Sequence, residues 1–167
     1  AAFNKTSKIL KKGLALTPVT FGISFTLTML NQAGALVHVY KDGTVQLNHG
    51  GTEMGQGLHT KVAQVVADVF QIDLDKVRVT ATNTSKVPNT SATAASSGSD
   101  LNGKAAEAAA LTIKNRLIDF AMAHFNVKKD NVKFFSGQVQ VDGKVMPFKE
   151  LVQLAYSNRI QLSSTGF

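Results

Sequence analysis

Phe21, Ile23 and Phe25 alternate with Gly22, Ser24 and Thr26, a period of two that predicts a strand. Leu36 to Tyr40 and Val45 to His49 flank Asp42-Gly43, and an Asp-Gly turn between such runs predicts a β-hairpin. The period changes at Leu58. Leu58, Val62, Val65, Val66 and Val69 recur at helical spacing and predict one apolar helix face ending near Phe70. Val77, Val79 and Ala81 then alternate with Arg78, Thr80 and Thr82, which predicts another strand. From Thr80 to Ser99 half of the positions are Ser or Thr, a loop composition. Leu101, Ala106, Ala110, Ile113, Leu117 and Phe120 predict a long helix to about Phe125, whose Ala-rich first half suits close packing. Val132–Phe135 and Val139–Val145 read as strands, the second bent into a hairpin at Asp142-Gly143. Phe148, Leu151, Val152 and Ala155 predict a short final helix, with Pro147 just before it where a missing N–H does no harm. The expected class is α+β: a mixed sheet with β-hairpins and two to three packed helices.

Composition narrows this in few ways. A chain of 167 residues suits one domain, with no linker or internal repeat to divide it. There is no cysteine, which excludes disulfides, thiolate metal sites, Fe–S ligation and a cysteine nucleophile, and fits a reducing compartment. No apolar run approaches a membrane span and no secretory signal is visible, so the cytoplasm is the expected location. The net charge of +7 permits nucleic acid or acidic lipid as a partner. Yet charged residues make up only 17% of the chain, below the roughly 25% of an average soluble protein, which hints at surface covered by other protein. Lys5, Lys8, Lys11 and Lys12 make residues 1–13 a basic, solvated connector; with only Phe3 nearby it lacks the interleaved aromatics of a nucleic-acid arm.

The most informative segment is Gly50-Gly51-Thr52-Glu53-Met54-Gly55-Gln56-Gly57-Leu58-His59-Thr60, between a predicted strand and a predicted helix. Its glycines let backbone approach a ligand, and the following helix is expected to offer unpaired N–H groups to an anion such as phosphate. Gln56 adds a neutral donor and acceptor. A dinucleotide site is disfavoured because Thr60 stands where a third glycine belongs, and the strand before the loop belongs to a hairpin. A glycine-rich turn with no ligand stays open on spacing alone.

The second segment, Asn89 to Ser99, places small hydroxyl residues before the long helix, where they serve as caps or line a thin-walled polar pocket. His38, His49, His59 and His124 have no metal-site spacing, and neither a G-x-S-x-G elbow nor a Walker lysine is present. Glu53, Asp68 and Glu107 read as surface or cap carboxylates, Glu53 least securely because it sits in the glycine loop.

Several runs of this sequence resemble the molybdenum-cofactor-binding part of the xanthine dehydrogenase family. They are Phe21 to Thr26, Leu30 to Ala35, Gly50 to Lys61, Val87-Pro88-Asn89 through Ser96, and Leu162 to Phe167, in the family's order and over nearly the whole chain. The glycine loop recurs in aldehyde oxidases, whereas its pairing with Phe25-Thr26 resembles the xanthine branch. The resemblance implies hydroxylation of xanthine or hypoxanthine towards urate at a molybdenum-molybdopterin cofactor held through its own dithiolene. It implies that Gly55, Gln56, Gly57, Thr93, Ala95, Ser96 and Ser99 contact this cofactor, with Ser99 in the more variable part of its loop. Phe25, Thr26 and Ala94 are implied to contact the purine substrate.

The resemblance also implies what is missing. The family's general-base glutamate, substrate arginine and stacking phenylalanine have no match here, so no catalytic residue is expected. The chain is expected to be an interior fragment, about a fifth of a subunit and inactive alone. Its expected partners are the rest of that subunit, a part carrying Fe–S clusters and FAD, and a purine; membrane and nucleic acid are disfavoured. The alternatives are an aldehyde oxidase-type hydroxylase and a non-catalytic basic nucleic-acid-binding domain.

Overall fold

A computed structural model of the chain describes residues 2–86 and 90–167. Val87, Pro88 and Asn89, part of one family-like run, lie outside the described residues. The elements in order are α1 (Ala2–Thr6), β1 (Ala35–Val39), β2 (Val45–His49), α2 (Leu58–Phe70), β3 (Val77–Val79) and α3 (Gly98–Phe125), then β4 (Val132–Phe135), β5 (Gln138–Val141), β6 (Lys144–Pro147), α4 (Phe148–Ser157) and β7 (Ser163–Gly166). The class is the mixed α and β one that the pattern predicts.

The main sheet has the order β3-β2-β1-β7. Strands β1 and β2 form the expected hairpin, with Val37 opposite Leu47 and both fully buried. Its turn closes where the Thr44 N–H donates to Asp42 Oδ1 at 3.0 Å. Strand β3 runs parallel to β2, with Val45 opposite Val77, so β2-α2-β3 is also a crossover unit. This corrects the argument against a dinucleotide site: β2 belongs to a hairpin and to a parallel unit at once. Strand β7, Ser-Ser-Thr-Gly, pairs antiparallel with β1 and has no apolar pattern by which to find it.

Helices α2 and α3 pack on each other, and α3 also lies along β7 and β1. The alanine stripe of α3 does what its composition suggests. Gly166 sits so close to the Ala105 carbonyl and the Ala109 N–H that no side chain fits between strand and helix. A second, antiparallel sheet β4-β5-β6 joins α4 at the other end. Phe70 of α2 meets Phe148 of α4 with ring centroids 5.7 Å apart, and both belong to one hydrophobic core. Lys114 of α3 donates to the Val69 carbonyl at the end of α2, at 2.7 Å, with its Nζ 5.0 Å from the Phe134 ring centroid.

The predicted strand at residues 21–25 does not form. This segment is exposed and irregular, touching the second loop where Ser24 N–H donates to the Ala95 carbonyl at 2.9 Å. Alternation expresses a preference for a half-buried pleated surface, and none of the sheet strands lies beside this segment. Exposed apolar side chains concentrate in this segment and in the stretch before it, among them Ile9, Leu14, Leu16, Val19 and Phe21.

Candidate functional site

The two glycine- and hydroxyl-rich loops meet at the top of the main sheet. Gly50 lies against Thr90, and Gly51 against Leu58 and Asn102, each so close that a Cβ would collide. These two glycines are therefore needed for close approach, whereas Gly55 (φ 99°) and Gly57 (φ 75°) are needed for left-handed turns. Thr52 N–H donates to Thr93 Oγ1 at 2.8 Å and ties one loop to the other. Ser91 N–H donates to the Gln32 carbonyl at 2.9 Å, while Gln32 N–H donates to Ser91 Oγ at 3.1 Å. The second loop is thus held from both sides. Ala95 (φ 48°) and Ser96 (φ 57°) are consecutive non-glycine residues in the left-handed region, a strain that surrounding structure has to maintain.

A cleft of about 420 Å³ opens between the loops, lined by residues that include Met54, Gln56, Lys61, Thr93, Ala95, Ser96 and Ser99. A second cleft of about 390 Å³ adjoins it, lined by residues that include Phe25, Leu30, Gln32, Ser91 and Ser97, and Ala94 lines both. Five of the residues implied as cofactor contacts, Gln56, Thr93, Ala95, Ser96 and Ser99, thus share one cleft, and Phe25 and Ala94 share its neighbour. Gly55, Gly57 and Thr26 line neither. Leu58, Lys61 and Asp100 line the first cleft, and sequence reasoning assigned them no site role. Lys61 and Leu58 fall in the family-like run, a signal that could have found them.

The start of α2 differs from the expectation of free N–H groups. Glu53 Oε1 accepts from Gly55 N–H at 2.9 Å and from Gly57 N–H at 3.0 Å, and Oε2 accepts from His59 N–H at 3.0 Å. The His59 N–H above all, joined by the two glycine N–H groups, holds the Glu53 carboxyl down at about 2, against an opposing effect of desolvation. The expected anion is therefore supplied by the chain itself. Gln56 closes the same loop: its Nε2 donates to the Thr52 carbonyl at 2.9 Å, and its Oε1 accepts from Met54 N–H at 2.6 Å.

Beneath the loop lies His49, almost fully buried. Gly51 N–H donates to its Nδ1 at 3.1 Å, which puts the ring proton on Nε2. His59 approaches edge-on, with ring centroids 5.1 Å apart. Burial, with the His59 charge, pushes His49 down to about 4, while Glu53 pulls the other way. Among the described residues no group of three or more His, Asp or Glu side chains could hold a metal ion, and no helix is long and apolar enough to cross a membrane.

The fold belongs to a known class. A family profile described as a molybdopterin cofactor-binding domain matches residues 1–167, and the chain belongs to that family. It is 48% identical over 165 residues to the xanthine dehydrogenase/oxidase of Mus musculus and 49% identical over 166 residues to xanthine dehydrogenase 1 of Arabidopsis thaliana. Each match takes in 99% of this chain and 11% of the relative, so the chain spans about a ninth of the curated relatives it matches. Among solved structures, quinoline 2-oxidoreductase from Pseudomonas putida 86 superimposes with a TM-score of 0.73 at 26% identity, over 80% of this chain and 18% of that one. The Cu,Mo-CO dehydrogenase shares the fold with a TM-score of 0.72 at 24% identity, over 81% of this chain and 18% of that one.

Proposed function

We propose that this chain walls the cofactor and substrate clefts of a molybdenum hydroxylase that oxidises xanthine or hypoxanthine towards urate. The observation that carries the reading is the convergence of Gln56, Thr93, Ala95, Ser96 and Ser99 on one cleft. Relatives near half identity that are named xanthine dehydrogenases support the purine branch over an aldehyde oxidase.

The residues present fit a molybdopterin. The cleft is lined by neutral hydrogen-bonding side chains, by the apolar Phe21, Met54 and Leu58, and by one cation, Lys61, and one carboxylate, Asp100, so a polar heterocycle bearing an anionic group would turn that group towards Lys61. Gln56 spends one amide proton and one lone pair on its own loop, which leaves one donor and one acceptor for a ligand. Thr93 Oγ1 accepts from Thr52 and keeps its own proton to donate. Among the described residues the Ser96 and Ser99 hydroxyls donate no hydrogen bond within the chain, and they bond the pterin or its phosphate. Ala94 and Ala95 end at Cβ and let a bulky group approach the backbone. When bound, the molybdenum centre supplies the two-electron oxidation of the substrate carbon.

Phe25 lines the adjoining cleft and presents a flat face to a purine ring; Thr26, which lines neither cleft, is assigned to a ring oxygen on the family resemblance alone. No residue of this chain is the catalytic base. Residues 1–167 form one part of the cofactor-binding domain, with 1–13 a connector. The rest of the subunit and a part bearing Fe–S clusters and FAD complete the enzyme, which we place in the cytoplasm.

Gln56→Ala in the complete polypeptide tests the reading. Polar groups left unpaired in a closed site cost about 1–3 kcal/mol each. Molybdenum per chain or urate formation should fall about tenfold while the fold survives, as 1.4 kcal/mol implies. Unchanged occupancy and rate would remove Gln56 from the site.

A further inference from the structure

Gly55 and Gly57 both adopt left-handed backbone, so the loop has many accessible shapes when unrestrained. The first turn of α2 contains no acidic residue, and Gly57 at its start has no side chain with which to cap it. What meets these exposed donors is a carboxylate from upstream in the loop. Glu53 takes the N–H groups of Gly55, Gly57 and His59 together. Three residues on, Gln56 staples the loop from within, to Thr52 and Met54, and also lines the cleft.

We propose that Glu53 is a positioning residue: its carboxylate is a built-in anion that locks the glycine loop in the one shape that holds Gln56 at the cleft, and it leaves no seat for a ligand phosphate at the start of α2. This rests on the reading above that the cleft takes a molybdopterin. Three charge-assisted hydrogen bonds on one carboxylate are stronger than neutral ones and are lost together when it is removed. Its depressed titration keeps the carboxylate ionised throughout the neutral range. Glu53 does not line either cleft, so it acts through the loop and not on the cofactor.

The test uses Glu53→Ala and Glu53→Gln in the complete polypeptide, with Asp75→Asn as a surface carboxylate control. Two measurements are made: amide hydrogen exchange at Gly55, Gly57 and His59 in cofactor-free protein, and the release rate of molybdenum from loaded protein. Both rates should rise about tenfold in the two Glu53 variants and stay unchanged in the control. Added acetate should restore slow exchange and slow release in Glu53→Ala, where it replaces the deleted carboxylate. It should do nothing in Glu53→Gln, whose amide fills the place. Unchanged exchange in both variants overturns the locking role, and faster exchange with unchanged release overturns the link to the cofactor. Wild-type polypeptide that takes up no molybdopterin overturns the functional reading itself, and does so whatever the exchange measurement shows about the loop. If Glu53→Ala fails to fold, Glu53→Gln decides alone.

Discussion

Two side chains around the glycine loop show how much one position can carry. Glu53, read from sequence as a surface or cap carboxylate, caps three N–H groups at once. His49, one of four histidines whose spacing makes no metal site, is buried beneath the loop with Nδ1 accepting from Gly51. Their titrations act in separate windows. His49 is held at about 4 against an ordinary 6.5, so between these values the unfolded chain binds a proton that the folded chain refuses. Stability from this residue is intact above pH 6.5 and declines as the pH falls towards 4. Glu53 is held at about 2 against an ordinary 4.5, so its contribution is present above pH 4.5 and is lost as the pH falls towards 2. Urea midpoints measured across this range should fall in two stages. His49→Gln should flatten the upper stage and Glu53→Gln the lower; a single stage that neither variant changes would contradict this assignment.

At the scale of elements, α3 and β7 illustrate fit set by absent side chains. The buried stripe of α3 contains Ala105, Ala106, Ala109 and Ala110, and Gly166 of β7 rests against the backbone of Ala105 and Ala109. Arg116 of the same helix donates to the Ser163 carbonyl of β7 at 2.8 Å and holds the strand's other end. Gly166→Ala would set a methyl group against the Ala105 carbonyl, and backbone cannot give way as a flexible side chain does. Overpacking of this kind costs about 1–3 kcal/mol. Chemical denaturation should show that loss, and hydrogen exchange should show the β1–β7 pairing opening first. A neutral substitution would mean that the strand can move away from the helix freely.

For the whole molecule, the core is continuous from the main sheet through α2 and α3 to the second sheet and α4. Phe70 is its largest fully buried side chain and joins α2 to Phe148 of α4. Phe70→Ala should cost about 3–5 kcal/mol, the range for emptying a buried aromatic site. At roughly 2–4 °C per kcal/mol for a chain of this size, the melting temperature should drop by about 6–20 °C. Far-ultraviolet and near-ultraviolet signals should still melt together. Separate transitions would show that the second sheet and α4 fold apart from the rest.

Periodicity located α2 at Leu58–Phe70 and the long helix α3, because burial of one face imposes a repeat that local sequence records, and the Asp-Gly turn signals located both hairpins. Resemblance in the two loop sequences picked out residues that share a cleft, but spacing gave no means of knowing that the loops touch. That contact depends on Gly50 against Thr90 and on Thr52 bonding Thr93, pairs about forty residues apart in sequence. Only the tertiary structure decided the rest. It left residues 21–25 irregular because none of the sheet strands lies beside them, and made a strand of apolar-poor Ser163–Gly166 because β1 offers an open edge. It also turned Glu53 back onto the start of α2, since which donor a carboxylate finds depends on backbone direction and not on residue type.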